Sequence, residues 1–162
     1  MAIWRLNHAV LFVRDVETAA EFYRSVLGFT ELTRPEGMRA AFLRTPSGLN
    51  HHDLGLFEVG PLGTRPPRGS VGLYHLAWEV ETIEDLAAMA DSLGSRGALT
   101  GASDHGVSKS LYGSDPDGNE FEVMWAVPRD AWGGSADEAV VLPLDLEAEI
   151  RRWGRDRPVT GD

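Results

Sequence analysis

The 162-residue sequence contains no cysteine. Disulfide bonds, thiolate metal ligands and cysteine nucleophiles are therefore excluded, and any bound metal must be held by His, Asp, Glu or backbone oxygen. Basic residues are also few, with 15 Lys and Arg against 25 Asp and Glu and a formal net charge of −10. This balance argues against a nucleic-acid partner, because binding to a phosphate backbone needs clustered positive charge.

Long apolar runs are absent as well. No stretch is long enough to cross a bilayer, and the first ten residues lack the basic and then apolar layout of a signal peptide. Hydrophobic residues make up 43% and charged residues 25% of the chain, as in ordinary globular proteins. We therefore expect a cytoplasmic globular protein with no membrane partner.

Two segments of the chain repeat one pattern: an apolar stretch with a central histidine, an acidic boundary, a helical stripe and a glycine. The first is LNHAVLFVRDVETAAEFYRSVLGF, and the second is LYHLAWEVETIEDLAAMADSLGSRG. Apolar residues recur at helical spacing in both, and Asp15 and Thr82 are suited to cap the two helices. Such self-similarity indicates two copies of one structural unit.

The later part of each repeat also matches, because both contain a turn of the form x-Pro-x-Gly. Aligning Pro46 with Pro116 places His52 opposite Glu122. Each half therefore predicts a strand, a helix and three further strands. The later strands are expected near residues 30–34, 38–45, 51–59, 98–103, 107–114 and 119–126.

These patterns predict an α+β fold with one domain over residues 1–127. Its two βαβββ modules cover about 1–60 and 70–127, joined by a Pro- and Gly-rich linker at 61–69. Residues 128–162 form a C-terminal tail with a short helix, capped by Asp145 or a neighbour, and with frayed final residues.

His8 and His75 occupy equivalent places in the two repeats, and Glu122 lies on the strand that closes the second. Strand alternation puts His75 and Glu122 on the face opposite the apolar residues of their strands. A lone histidine among apolar neighbours is more often a core residue than a ligand. The matched placement changes that balance, because two imidazoles and one carboxylate form the three-ligand set of an open divalent-metal site.

The segments NHAVLFVRDVETAAEFYRSVLGF and DPDGNEFEV resemble the vicinal oxygen chelate superfamily. That superfamily includes glyoxalase I, extradiol dioxygenases, methylmalonyl-CoA epimerase and the fosfomycin and bleomycin resistance proteins. The resemblance implies two βαβββ modules whose curved mixed sheet surrounds a metal-binding cleft. It also implies metal ligands at His8, His75 and Glu122. A fourth ligand, where relatives have one, falls on His52, a place where glyoxalase I commonly has Glu.

The longer stretch HGVSKSLYGSDPDGNEFEV is similar to the signature of extradiol dioxygenases. The resemblance implies that His105 is a second-sphere acid and base, and that Tyr112 donates a hydrogen bond to a substrate oxygen. The activity it implies is ring cleavage of a catechol-like aromatic small molecule with Fe(II), or with Mn(II) or another divalent metal. Relatives often pair, so the resemblance also implies a homodimer.

Two other functions stay open on these residues. One is a glyoxalase- or epimerase-type isomerase or lyase, and the other is a metal-free antibiotic-binding resistance protein. Dioxygenases of this signature that cleave aromatic rings usually have two such domains, whereas this chain has one. A requirement for dioxygen distinguishes ring cleavage from the glyoxalase- or epimerase-type reaction. A metal-free binding protein is identified if replacing His8 or Glu122 leaves its ligand affinity unchanged.

Overall fold

A computed structural model describes residues 2–67 and 69–154, and the chain divides into two compact units. Unit 1 comprises the described residues of Met1–Gly72 together with Asp115–Asn119, and unit 2 comprises those of Leu73–Ser114 and Glu120–Asp162. Each unit contains a βαβββ module, so the predicted α+β fold of two such modules is confirmed. The frayed end predicted for the final residues lies outside the described residues.

Unit 1 places a helix against a four-stranded mixed sheet. Its elements are β1 (Ala9–Val13), α1 (Val16–Ser25), β2 (Thr30–Thr33), β3 (Ala40–Arg44) and β4 (Leu54–Glu58). The strand order is β1-β4-β3-β2, with β1 parallel to β4 and the other pairs antiparallel. The Asp15 side chain accepts a hydrogen bond from the Thr18 backbone N–H at 2.8 Å, which confirms the predicted cap.

The core of unit 1 lies between α1 and one face of its sheet. The apolar stripe of α1, including Val16, Ala19 and Tyr23, is buried together with Leu54 and Leu56 of β4. Burying a side chain of leucine size contributes about 1.5–3 kcal/mol. The alternate residues of β1 are not part of this core: Val10 and Phe12 are 50% and 72% exposed.

Unit 2 repeats this architecture and adds the C-terminal helix. Its elements are β5 (Leu76–Glu79), α2 (Ile83–Ser95), β6 (Leu99–Asp104), β7 (Ser108–Ser114), β8 (Glu120–Ala126) and α3 (Leu146–Trp153). The strand order is β5-β8-β7-β6, with β5 parallel to β8. Between β8 and α3 the chain forms two short 3-10 turns, Arg129–Ala131 and Gly133–Asp137.

The alternation predicted for the last strand is confirmed. Phe121, Val123 and Trp125 are each at most 2% exposed, and β8 contacts helix α2. The predicted caps of the two helices in unit 2 are confirmed too. Thr82 forms a reciprocal capping box with Asp85, and the side chain of Asp145 accepts from Ala148 N at 2.9 Å.

The β7–β8 turn, residues 115–119, belongs to unit 1 and is called the anchored turn below. The Tyr23 hydroxyl donates to the buried Asp115 carboxylate at 3.2 Å. Arg14 donates to Asp117 from its backbone N at 2.9 Å and from its guanidinium at 2.8 Å. Burial raises the pKa of Asp115, although hydrogen bonds from Asn119 act in the opposite direction.

No helix in residues 2–67 or 69–154 combines the length and apolar character needed to span a bilayer.

Candidate metal and catalytic site

His75 and Glu122 come together in unit 2. His75 lies directly before β5, and the parallel register pairs Ala77 of β5 with Glu122 of β8. The His75 Nε2 and Glu122 Oε2 atoms are 3.1 Å apart. Two donors bound about 2.1 Å from one ion at a right angle would be separated by about 3.0 Å. The pair therefore fits two adjacent ligands of one divalent metal.

The other ring nitrogen of His75, Nδ1, differs in its hydrogen bonding. Nδ1 is buried and has no hydrogen-bond partner among the described residues. Metal-binding histidines usually donate this N–H to a carboxylate, a carbonyl or water. The ring is instead flanked by aromatic groups, with centroids 4.8 Å from Tyr74 and 5.9 Å from Tyr112.

Tyr112 and His105 continue the row from Glu122. Tyr112 on β7 stands opposite Glu122 on β8 in the antiparallel register, so the two side chains share a face. The Tyr112 hydroxyl lies 2.7 Å from His105 Nε2. Burial, and then the Glu122 charge, raises the pKa of Tyr112, which keeps the hydroxyl protonated. The candidate ligands His75 and Glu122 thus lie next to Tyr112 and His105, the candidate proton-transfer pair.

His8 lies in unit 1 just before β1, where a chain of amides determines its tautomer. Asn50 Nδ2 donates to Asp53 at 2.6 Å, Asn7 Nδ2 donates to Asn50 Oδ1 at 3.1 Å, and Asn7 Oδ1 lies 3.0 Å from His8 Nδ1. Because a carboxylate only accepts, both amide orientations follow, and His8 Nδ1 must donate. The Nε2 lone pair of His8 is therefore available for a metal.

His52, the predicted fourth ligand, lies beside His8, with ring centroids 4.6 Å apart. Burial, followed by the neighbouring His8, lowers the pKa of His52. A lowered pKa keeps the imidazole neutral, and neutral imidazole is the form that binds metals. The His52 ring also meets Phe42 edge-on at 4.9 Å.

An aromatic surface of unit 1 adjoins these histidines. Phe42 and Phe57 meet edge to face with ring centroids 5.9 Å apart. A Cβ at Gly55 would lie 3.4 Å from both Phe42 and Val10 side chains, so a larger residue would crowd this surface. The exposed Phe12 and Val10 side chains extend the apolar area along β1.

The candidate ligands divide between the units. His75 and Glu122 meet in unit 2, whereas His8 and His52 meet in unit 1. Within the described parts of the chain, no three His, Cys, Asp or Glu side chains gather where they could hold a metal ion. The three-ligand set of His8, His75 and Glu122 stays a prediction.

The sequence did not predict the groups that orient the rings of His8 and His105. Asn7 and Asn50 orient His8, and in the sequence only their positions beside His8 and His51 could have indicated this role. The Val140 carbonyl lies 2.8 Å from His105 Nδ1. No residue type could signal that contact, since the backbone makes it.

Comparison with known proteins shows what the chain is similar to. It is 33% identical over 156 residues to a catechol-2,3-dioxygenase of Bacillus subtilis, covering 94% of this chain and 53% of the relative. An ethylmalonyl-CoA/methylmalonyl-CoA epimerase of Cereibacter sphaeroides is 35% identical over 106 residues, 59% of this chain and 73% of the relative. The chain spans about half the length of the first curated dioxygenases it matches.

The fold has counterparts among solved structures. A glyoxalase/bleomycin resistance protein/dioxygenase domain from Frankia aligns with a TM-score of 0.64 and 23% identity, covering 78% of this chain and 94% of that one. A family model described as Glyoxalase/Bleomycin resistance protein/Dioxygenase superfamily matches residues 5–123. The chain belongs to the glyoxalase/bleomycin resistance protein/dioxygenase superfamily.

Proposed function

We propose that the protein is an extradiol ring-cleaving dioxygenase that acts on a catechol-like aromatic compound. The proposal rests on the row of side chains in unit 2, where His75 and Glu122 are followed by Tyr112 and His105. This order places candidate metal ligands beside groups that can donate and accept protons. The similarity to a catechol-2,3-dioxygenase supports the same reaction.

The proposed ligands are His8, His75 and Glu122, with His52 as a fourth ligand where one is needed. Nitrogen and oxygen donors of this kind suit Fe(II), which we favour, and they also suit Mn(II). When bound, the metal supplies a Lewis acid for the two catechol oxygens and open positions for dioxygen. Two neutral imidazoles and one carboxylate leave one positive charge uncompensated, which favours an anionic catechol.

The residues around the ligands would handle the protons. An imidazole can accept and return a proton near neutral pH, and His105 Nε2 is the acceptor in this row. The Tyr112 hydroxyl has one hydrogen, so it would donate to a substrate oxygen on which negative charge develops in place of its contact with His105 Nε2, and Nε2 would then be free to accept a proton. The aromatic surface formed by Phe42 and Phe57 supports an aromatic substrate.

An epimerase-type reaction is the second candidate, favoured by the similarity to an ethylmalonyl-CoA/methylmalonyl-CoA epimerase. The same ligand pair beside a proton acceptor would suit removal and return of a proton at a carbon next to a carbonyl group. This reaction requires no dioxygen. A dependence on dioxygen therefore separates the two candidates.

Metal binding is the first measurement. Anaerobically purified protein is titrated with Fe(II) and Mn(II) by calorimetry, beside the variants His8→Ala and His75→Ala. His51→Ala is the matched control, because His51 is an exposed histidine next to His52. We expect about one ion per chain in the native protein and the control, with affinity at least tenfold weaker in the other two variants.

Activity is then measured on the metal-loaded protein. Catechol under ¹⁸O₂ should consume one dioxygen molecule per substrate and incorporate both oxygen atoms into a ring-opened product. Proton exchange on a methylmalonyl thioester without dioxygen would instead support the epimerase. Absence of metal uptake in the native protein would contradict both reactions and leave a metal-free binding protein.

A further inference from the structure

The segment after β8 contacts the turn that contains His105, although it lies beyond the family match at residues 5–123. Asp104 N donates to the Leu142 carbonyl at 2.8 Å, and Leu142 N donates back to the Asp104 carbonyl at 2.9 Å. A Cβ at Gly106, where φ is +75°, would lie 2.7 Å from Ser135 Oγ. Both flanks of His105 are thus in close contact with the tail.

Helix α3 is tied to the same turn through a buried charge. Lys109, the only lysine of the chain, has a side chain 4% exposed and pairs with Asp104 and, at 3.4 Å, with Glu149 of α3. Trp153 Nε1 donates to Glu149 at 2.8 Å, and its ring lies 5.7 Å from the ring of Trp125. A buried cation needs such partners, so loss of α3 would leave Lys109 poorly compensated.

The tail also determines the direction of a hydrogen bond. The Val140 carbonyl can only accept, so His105 Nδ1 must carry the hydrogen of their 2.8 Å contact. A neutral imidazole has one ring N–H, which leaves Nε2 as an acceptor. The Tyr112 hydroxyl, 2.7 Å away, then donates to Nε2.

We propose that the C-terminal segment, residues 133–153, sets the tautomer of His105 through the Val140 carbonyl. Val140 is a positioning residue, because it acts on the proton acceptor and not on the substrate. In the opposite tautomer Nε2 would carry hydrogen, and His105 could not accept a proton on the side of Tyr112. The catalytic consequence rests on the proposed function, whereas the tautomer itself does not.

The test observes the ring nitrogens directly. Metal-free protein labelled with ¹⁵N-histidine is examined by long-range ¹H–¹⁵N NMR at about pH 8.5, two units above the ordinary histidine pKa. A His105→Gln variant assigns the signals. We expect a protonated Nδ1 and an unprotonated Nε2 at His105 in the native protein. A native ring with hydrogen on Nε2 overturns the proposal, even if every tail variant fails to fold.

Three variants identify which contact sets the tautomer. Leu142→Pro removes the N–H that donates to Asp104 and should populate the Nε2–H form, whereas Leu142→Ala keeps that N–H and should match the native protein. Tyr112→Phe should keep the Nδ1–H form, because the tail is intact. A switch in Tyr112→Phe, or a native ratio in a folded Leu142→Pro protein, would contradict the proposal.

These outcomes are separable from those of the proposed function, because the NMR measurement uses no metal, dioxygen or substrate. Protein with the expected tautomers but without dioxygenase activity would leave the role of the tail standing and remove the reaction. Protein with dioxygenase activity and an Nε2–H tautomer at His105 would support the reaction and reject the role of the tail.

Discussion

His8 and His105 share a hydrogen-bonding arrangement although they lie in different units. Each ring donates from Nδ1 to an oxygen that can only accept, Asn7 Oδ1 for His8 and the Val140 carbonyl for His105. Each therefore presents an unprotonated Nε2 while it is neutral. The same tautomer suits two roles, a metal ligand in one ring and a proton acceptor in the other.

The amide next to His8 leads to a prediction about metal affinity. Asn7→Ala removes the acceptor at Nδ1, so the His8 ring becomes free to place its hydrogen on Nε2. We expect Mn(II) to bind roughly tenfold more weakly, as for other losses of groups that orient metal ligands. Competition titration against a chelator measures this.

Leu6→Ala is the control for that prediction, since Leu6 is 75% exposed and adjacent to Asn7. Asn50→Ala should act in the same direction as Asn7→Ala, because Asn50 orients the Asn7 amide. Native affinity in Asn7→Ala, together with loss of binding in His8→Ala, would show that the amide chain is irrelevant to the ligand.

The anchored turn connects the two strands on which Tyr112 and Glu122 lie. Asp115 accepts from the backbone N–H groups of Asp117 and Asn119 at 2.9 and 2.8 Å, and also from the Asn119 side chain and from Tyr23. These bonds fix the turn within unit 1. The buried Asp115 carboxylate is thus compensated by several donors of the same unit.

Tyr23→Phe should therefore destabilise the protein. The buried Asp115 carboxylate loses one of its donors, and leaving a buried polar group short of a partner costs about 1–3 kcal/mol. Tyr74→Phe is the matched control because Tyr74 is 73% exposed. Urea unfolding measures both changes. Equal free energies of unfolding for the two variants would show that the Tyr23 hydroxyl contributes nothing to the anchor.

Across the whole molecule, local chemistry made the elements predictable. Apolar periodicity and cap residues at Asp15, Thr82 and Asp145 predicted three helices, and all three are present. The meeting of His75 with Glu122 also follows from alternation along β8 and from the repeat pattern. Each of these features depends on neighbours in the sequence or on pairing within one module.

Contacts between distant segments could not be predicted in the same way. Asn7 meets Asn50 across 43 positions, and His105 meets Val140 across 35. Neither contact is marked by periodicity or by a motif, because an amide or a carbonyl is available at many places in a chain. The tail helix was predicted, but its connection to Lys109 required the folded arrangement.

Acid stability is a property of the whole chain to which Asp104 contributes. Burial alone would raise the Asp104 pKa, but hydrogen bonds from Lys109 and Gly106 outweigh it, so this pKa lies below its ordinary value of 3.8. A lowered pKa in the folded state means that Asp104 stabilises the protein fully above pH 3.8. That stabilisation is lost as the pH falls through the folded-state pKa.

Asp104→Asn should therefore lower the free energy of unfolding at pH 7, and the difference from the native protein should shrink at pH values below about 3.8. Urea unfolding at several pH values measures this. Asp91→Asn, on an exposed position of α2, should show little difference at any pH. A gap between Asp104→Asn and native protein that widens with acid would reverse the assigned sign.

The burial of Lys109 has a consequence for proteolysis. Since the chain has no other lysine, a protease that cleaves only after lysine has one site, and it lies inside β7 with its side chain 4% exposed. Cleavage there requires β7 to leave the sheet. When opening and closing are fast relative to cutting, the cutting rate reflects the equilibrium fraction of molecules in which the strand is open. A single cleavage thus reports the local opening of the strand that also contains Tyr112.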